Sequence, residues 1–257
     1  MAKKEFLKFG NSDVLEGMSS ISALIKGMEN NGNNRKIEKI LFDSSKTRSK
    51  HRELTFLRAR SKDIGFEIEL VPTETIDEYT VGNTHGGIIA ICSSRTLPAL
   101  SEEKILEKGV YFILEGVEDP YNFGYAVRSL YAAGVDGVIL GERNWMGAAG
   151  IVARSSAGAS ELMNMYVSEA ADAIDIFKRK GYTVICAGIR DSVSIFETDL
   201  SKPLLVILGG EKRGISRNIL DMSDKTVRID YGEEFGGSLS TSAAAAVFAF
   251  EILRYNR

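Results

Sequence analysis

Downstream of Gly109 the chain alternates between short apolar runs, at residues 111–114, 137–140, 162–167, 183–187, 204–208 and 227–229, and longer stretches of helical periodicity. Runs this short and continuously apolar bury both faces, and the intervals between them are long enough for crossover helices. The pattern therefore predicts an α/β domain in which a parallel sheet carries helices packed on it. In such a sheet ligands bind beyond the carboxyl ends of the strands. The residues directly after each apolar run are the candidates for chemistry.

The part before Gly109 predicts a smaller α/β unit. It has a helical stretch over 14–28, an apolar run at 37–42, a basic helical stretch over 50–64, and further apolar runs at 66–71 and 86–92. Residues 93–103 are polar, contain Pro98 and have the character of a linker, so the expected domains are 1–97 and 98–257. With 44% hydrophobic residues, 26% charged residues and four prolines in 257, the chain is neither disordered, fibrous nor built on disulfides. Its longest apolar stretch, 243–250, falls short of the ~20 residues of a membrane span. The opening Met1-Ala2-Lys3-Lys4-Glu5 lacks the apolar run of a signal peptide, so the expected location is cytoplasmic. Cys92 and Cys186 sit in apolar runs with no partner at metal-ligand spacing, which predicts buried reduced thiols and no metal site.

The net charge of −3 argues against a simple basic module, but the charge is unevenly placed. Between Arg35 and Lys62 ten basic residues face three acidic ones, a local excess of +7. The members include Arg48, Lys50, Arg52, Arg58 and Arg60. Such a cluster suits an electrostatic footprint on phosphates, or equally a solvated helix face; charge alone leaves both open.

Three strand exits stand out. After 111–114 comes Glu115-Gly116-Val117-Glu118-Asp119-Pro120-Tyr121-Asn122-Phe123-Gly124, leading to Arg128. There Pro120 stops the strand, Asn122 is the expected N-cap, and Gly124 leaves a gap one turn from the Arg128 guanidinium. After 204–208 comes Gly209-Gly210-Glu211, where backbone can approach a ligand closely beside an acid. Neither GxxxxGK[ST] nor a GxGxxG turn after a strand is present. After 227–229 a loop leads through Ser238-Leu239-Ser240-Thr241-Ser242 into an alanine-rich helix start that suits close packing. Each exit also has an ordinary structural reading: a surface arginine, a glycine-rich strand end, a capped helix.

Together the exits resemble the three signature motifs of the SpoU/TrmH family of RNA ribose 2′-O-methyltransferases, part of the SPOUT superfamily, in order and spacing. Asp119, Pro120, Asn122, Gly124 and Arg128 match the first; Leu208, Gly209, Glu211 and Gly214 the second; Ser238, Leu239, Ser242 and Ala244 the third. Ser155-Ser156-Ala157-Gly158-Ala159 is similar to the family's Ser-x-Gly-Ala element. Val14-Leu15-Glu16-Gly17 and His85-Gly86-Gly87-Ile88-Ile89-Ala90 are similar to the ends of the ribosomal-protein-like RNA-binding domain that many members carry. Essentially the whole chain is covered.

The resemblance implies a C-terminal domain tied in a deep trefoil knot, an exception to the avoidance of knots. It also implies a homodimer that completes its active site across the subunit interface, and S-adenosylmethionine bound without a metal. By transfer, Gly209, Ile229 and Leu239 hold the cofactor, helped by Leu208, Gly210, Ser238 and the strand exit at Gly188, while Asn122, Arg128, Glu211 and Ser240 form the catalytic set. Ile229 and Leu239 equally suit core packing. Arg48, Lys50, Arg52, Arg58 and Arg60 fall in the RNA-binding domain. Two positions depart from the pattern: the family's Ile-Pro is Ile229-Asp230 here, and its Asn is Ser240. A serine hydroxyl does not present both the donor and the acceptor of an amide, which bears on catalytic efficiency more than on cofactor binding.

The expected activity is methylation of a ribose 2′-hydroxyl. Ribosomal RNA is favoured over transfer RNA because the N-terminal part resembles the ribosomal members; protection of a ribosome against an antibiotic would use the same chemistry. A guanidinium titrates above ~12 and is a poor base near neutrality. Arg128 is therefore expected to contact phosphate and stabilise alkoxide character on the 2′-oxygen, with Glu211 orienting it and Asn122 holding the loop. A non-catalytic RNA-binding protein that kept the fold and the pocket is the alternative, for which Ser240 speaks. A nucleotide-binding oxidoreductase is a more distant one, since its glycine fingerprint is absent.

Overall fold

A computed structural model describes residues 12–80, 85–141, 148–212 and 214–257. Two compact units emerge. The first combines residues 1–96 with 144–162; the second combines 97–143 with 163–257.

In the first unit β1 (Ser12–Glu16) leads into helix α1 (Gly17–Asn30) through Gly17, whose φ of +78° turns the chain without the strain a Cβ would bring. Residues 14–16, expected as the start of a helix, thus belong to a strand. Next come β2 (Ile37–Asp43), α2 (His51–Ile64), β3 (Glu67–Val71), a short helix α3 (Thr73–Asp77) that the sequence reading did not anticipate, and β4 (Ile88–Ser93). The sheet order is β1-β4-β2-β3, with β2 and β3 parallel and the other pairs antiparallel. Leu15, Ile21, Leu24, Ile40, Phe42, Leu57, Ile88 and Ala90 are among the residues of its core.

The second unit begins with β5 (Val110–Glu115), α4 (Pro120–Ala132) and β6 (Gly137–Leu140). The chain then contributes α5 (Ala149–Ser155) and α6 (Ala159–Leu162) to the first unit, where α1 packs on both. Gly27 permits that approach, because a Cβ there would lie 2.1 Å from the Glu161 carbonyl oxygen. The second unit resumes with β7 (Met165–Val167), α7 (Ala170–Arg179), β8 (Thr183–Ala187), β9 (Val193–Ser194), β10 (Leu204–Gly209), α8 (Arg217–Met222), β11 (Lys225–Arg228) and α9 (Thr241–Tyr255). Its seven strands run in the order β7-β6-β5-β10-β8-β11-β9, every pair parallel. Leu162 ends α6 rather than opening a strand, β11 starts two residues before the expected run, and β9 had no forerunner in the pattern.

The sheet grows outward from β5 through β6 to β7. It then continues at β8 on the other side, leaving the slot that β10 fills between β5 and β8. That reversal is a topological switch point, where an open α/β sheet presents a crevice beyond its carboxyl edge.

Cys92 and Cys186 are free and buried, as expected; burial pushes the Cys186 thiol up to about 11. Among the described residues no helix is long and apolar enough to cross a membrane, and no three or more His, Cys, Asp or Glu side chains could together hold a metal ion.

Candidate active site

Backbone contacts at the switch point join the three exits. The β10 exit lies against the β5 exit through Gly210 N–H, which donates to the Glu115 carbonyl at 2.6 Å. A Cβ on Gly210 would come within 2.1 Å of the Gly116 oxygen, and one on Gly209 within 2.6 Å of the Gly214 carbonyl carbon. Both glycines are thus required by chain-on-chain packing. The turn closes on itself, Gly214 N–H donating to Gly210 O at 3.1 Å. The start of α9 is tied to the same place by Thr241, a buried hydroxyl donating to Gly209 O at 2.8 Å. Thr241 was expected only as part of a cap; its position beside the third motif was the available signal.

Asp119, not Asn122, caps α4: its carboxylate accepts from Tyr121 N–H at 2.9 Å, and Pro120 fills the first helical position. An Asp-Pro pair suits a helix start better than an Asn two residues on, because Pro presets φ and has no N–H to leave unsatisfied. Asn122 lies half-buried in the first turn. Gly124 is buried in α4, while Arg128, one turn on, is exposed. Arg128 and Glu211 are both exposed, and neither makes an ion pair within the described chain. Lys212 and Glu118 pair at 2.6 Å across the two loops, but both are exposed and the pair contributes little.

Ser240 caps α9, accepting from Ala243 N–H at 3.2 Å and lying 3.0 Å from the Ser242 hydroxyl. Its oxygen is therefore partly committed to the backbone. Tyr231 Oη accepts from Leu239 N–H at 3.2 Å and holds the approach to the helix. Gly188 N–H donates to Val227 O at 3.0 Å, bringing the β8 and β11 exits side by side. All of Gly188, Leu208, Gly209, Gly210, Ile229, Ser238 and Leu239 thus lie on the carboxyl edge of β8, β10 and β11 or on the approach to α9. Leu208 is buried and Ile229 half-buried, whereas Leu239 is 38% and Ile189 66% exposed. Exposed aliphatic side chains beside backbone-lined exits suit a nucleoside: its base would cover the apolar groups while its polar edges met main-chain atoms. The residues present fit S-adenosylmethionine.

The five basic residues of the first unit behave differently. Arg48, Arg52 and Arg58 are exposed and Lys50 half-buried, and none of the four has an ion-pair partner among the described residues. Arg60 is engaged, 3.0 Å from Glu29 and 3.7 Å from Asp63, with its guanidinium 5.6 Å from the centre of the Phe56 ring. Arg35, counted in the +7 excess, is buried and adds nothing to an outward-facing field.

Comparison with known proteins matches residues 109–250 to the SpoU rRNA methylase family and residues 14–98 to the RNA 2′-O ribose methyltransferase substrate-binding family. The chain is 27% identical over 250 residues to the 23S rRNA (guanosine-2′-O-)-methyltransferase RlmB of Shewanella oneidensis, an alignment covering 95% of this chain and 98% of that one. It is 26% identical over 200 residues to the putative TrmH family tRNA/rRNA methyltransferase YacO of Bacillus subtilis, covering 76% and 80%. Among solved structures it resembles the AdoMet-bound rRNA methyltransferase of Sinorhizobium meliloti with a TM-score of 0.77, 21% identity and coverage of 95% and 88%. The SpoU methyltransferase AviRb of Streptomyces viridochromogenes in complex with AdoMet gives a TM-score of 0.76 at 19% identity, covering 99% and 97%.

Proposed function

Since the chain belongs to the SpoU rRNA methylase family, we propose that it methylates a ribose 2′-hydroxyl of ribosomal RNA using S-adenosylmethionine. The observation that carries this reading is the joining of all three signature segments at one switch point by the Gly210–Glu115 and Thr241–Gly209 hydrogen bonds.

When bound, S-adenosylmethionine supplies an electrophilic methyl group on a sulfonium. The chain's task is to present the 2′-oxygen in line with that methyl and to favour negative charge on it. Arg128, exposed and without an ion-pair partner among the described residues, is the group for that charge. Glu211 orients it from a second copy of the chain: the two side chains are not paired with each other among the described residues, and a homodimer that completes the site across its interface would bring them together. Asn122, in the first turn of α4, holds the loop that leads to the Asp119 cap. Gly188, Leu208, Gly209, Gly210, Ile229, Ser238 and Leu239 hold the cofactor, largely through backbone.

The insertion of β10 between β5 and β8, two strands that precede it in the chain, is the strand order a trefoil-knotted chain would have. The substrate-binding part ends near Pro98, in keeping with family matches that stop at 98 and resume at 109. Arg48, Lys50, Arg52 and Arg58, with Arg60 at the edge of the group, contact RNA phosphates. Ribosomal RNA is favoured over transfer RNA because the matched substrate-binding part and RlmB together span nearly the whole chain. The reaction takes place in the cytoplasm.

The deciding experiment is methyl transfer from labelled S-adenosylmethionine into total RNA from a strain lacking the protein, with digestion and identification of the nucleoside. A 2′-O-methyl nucleoside in ribosomal RNA is expected. Label in transfer RNA would move the substrate; no label, with RNA and cofactor both bound, would favour a non-catalytic RNA-binding protein, the reading that the capping role of Ser240 supports.

A further inference from the structure

Beyond the carboxyl edge of β11 stands a polar cluster around Asp230, the residue this chain has where the family pattern has Pro. Strand β9 has two residues, paired with β11 at Val227↔Val193 and Arg228↔Ser194. So short a ladder holds an edge strand weakly. The rest of the attachment comes from side chains. Ser194, 5% exposed, donates its hydroxyl to the Asp230 carboxylate and accepts from Phe196 N–H at 3.1 Å. Asp230 also accepts from Arg228 Nε at 2.8 Å, and Arg228 Nη1 donates to Ser192 O at 2.6 Å. Ile195 N–H donates to Arg228 O at 2.9 Å, and Thr198 Oγ1 donates to Ser194 O at 2.6 Å. The Ser194 hydroxyl, with Arg228 adding to it, holds the Asp230 carboxyl below the usual carboxylate range.

The position of this cluster gives it a use. Because β9 is parallel to β11, residues 195–198 lie beyond the same carboxyl edge as Ile229 and Gly188. They follow a β8 exit that leaves Ile189 66%, Val193 46% and Phe196 62% exposed. Asp230, with Arg228, thus fastens this apolar segment to the strand whose exit includes Ile229.

We propose that Asp230 is a positioning residue for the cofactor: with Ser194 and Arg228 it latches residues 193–198 onto the β11 exit, and that segment forms one wall of the S-adenosylmethionine site. The assignment rests on the reading of the site given above. Without the carboxylate the buried Ser194 hydroxyl loses its acceptor, and β9 is left with its two-residue ladder, the Ile195–Arg228 backbone bond and an Arg228 guanidinium no longer held by Asp230.

The test uses the full-length chain. Asp230→Ala, Ser194→Ala and the double variant are compared with Asp230→Asn, which keeps an acceptor for Ser194. Two readouts are taken: affinity for S-adenosylmethionine by calorimetry, and hydrogen exchange at the amides of Ile195, Phe196 and Glu197 in the ligand-free protein. Asp230→Ala and Ser194→Ala are each expected to weaken binding by about tenfold and to speed exchange. The double variant should be no worse than either single one, because one interaction is removed twice. Asp230→Asn should recover most of both. Faster exchange with unchanged affinity would reduce the cluster to a structural fastening and overturn the proposal; so would unchanged exchange. A wild-type chain that binds no S-adenosylmethionine would overturn the underlying reading instead, recognisably, since the exchange response would still report the latch.

Discussion

The two units differ in what they place inside. The second unit fills its sheet with apolar residues: every side chain from Val110 to Leu114, from Val184 to Cys186 and from Leu204 to Leu208 is buried, and the three signature segments lie at its carboxyl edge. The first unit buries charge. Arg35, 4% exposed, donates to Asp13, to Glu161 at 3.2 Å and to Ser93 O at 2.9 Å; Asn33 adds a hydrogen bond to Glu161 at 2.8 Å. Burial raises the Asp13 carboxyl above its usual value even with Arg35 beside it. An apolar sheet is indifferent to which apolar residue meets which, whereas a buried ion cluster accepts only one arrangement. Here the cluster selects residues 149–162, distant in sequence, as part of the first unit. Charge is used inside one unit for assembly and at the rim of the other for chemistry.

Two arginines break or sharpen this contrast most directly. Arg128→Ala should lower turnover by about 10²- to 10³-fold, the usual cost of removing one group that stabilises developing charge, while leaving cofactor affinity and thermal stability nearly unchanged. A large loss of cofactor binding would move Arg128 out of its assigned role. Arg35→Ala should do the reverse. It leaves Asp13 and Glu161 buried without their cation and should cost about 3–5 kcal/mol in denaturant unfolding of the first unit. If Arg35→Ala is mild, water reaches the cluster and the contrast between the units weakens.

A smaller effect compares two glycines with the same clash. Gly27→Ala and Gly210→Ala each force a Cβ to within 2.1 Å of a carbonyl oxygen, and each should cost about 1–3 kcal/mol or more. Only Gly210→Ala should also weaken S-adenosylmethionine binding, which calorimetry on the folded protein would measure. Equal effects on binding would mean that the β10 exit is not a ligand surface. The smallest expected change is in RNA binding. Arg52→Glu and Arg58→Glu should each reduce the dependence of log affinity on log salt by about 0.7–0.9. Arg60→Ala, already paired with Glu29, should change it less. Slopes equal to the wild-type value for all three would return this stripe to a solvated face.

The strands of the second unit were legible where apolar runs are continuous: residues 183–187 match β8 and 204–208 fall one residue short of β10. Elements below that threshold were not. With two residues, β9 has no period to detect, and α5 and α6, seven and four residues long, are too short to show an apolar stripe; both pack against α1. β1 was hidden because its short alternation runs directly into a strongly periodic helix, and Gly17 was the available marker of the break. At the site, the motifs were readable as residue types and spacings. The cap at Asp119, the Thr241–Gly209 tie and the Asp230 cluster were not, since each depends on which loops meet.

By itself the sequence determined the period of each long element, the apolar faces to be buried, the places where glycine or an Asp-Pro pair must turn the chain, and the order of the three motifs. Those are local properties, set by the steric freedom of each residue and the repeat of its neighbours. Only the tertiary structure decided that β10 enters between β5 and β8, that residues 149–162 join the first unit, that Arg35 is buried rather than offered to a phosphate, and that Asp230 reaches Ser194. Each of those depends on hydrogen bonds between groups far apart along the chain, whose geometry exists only once the sheets have formed.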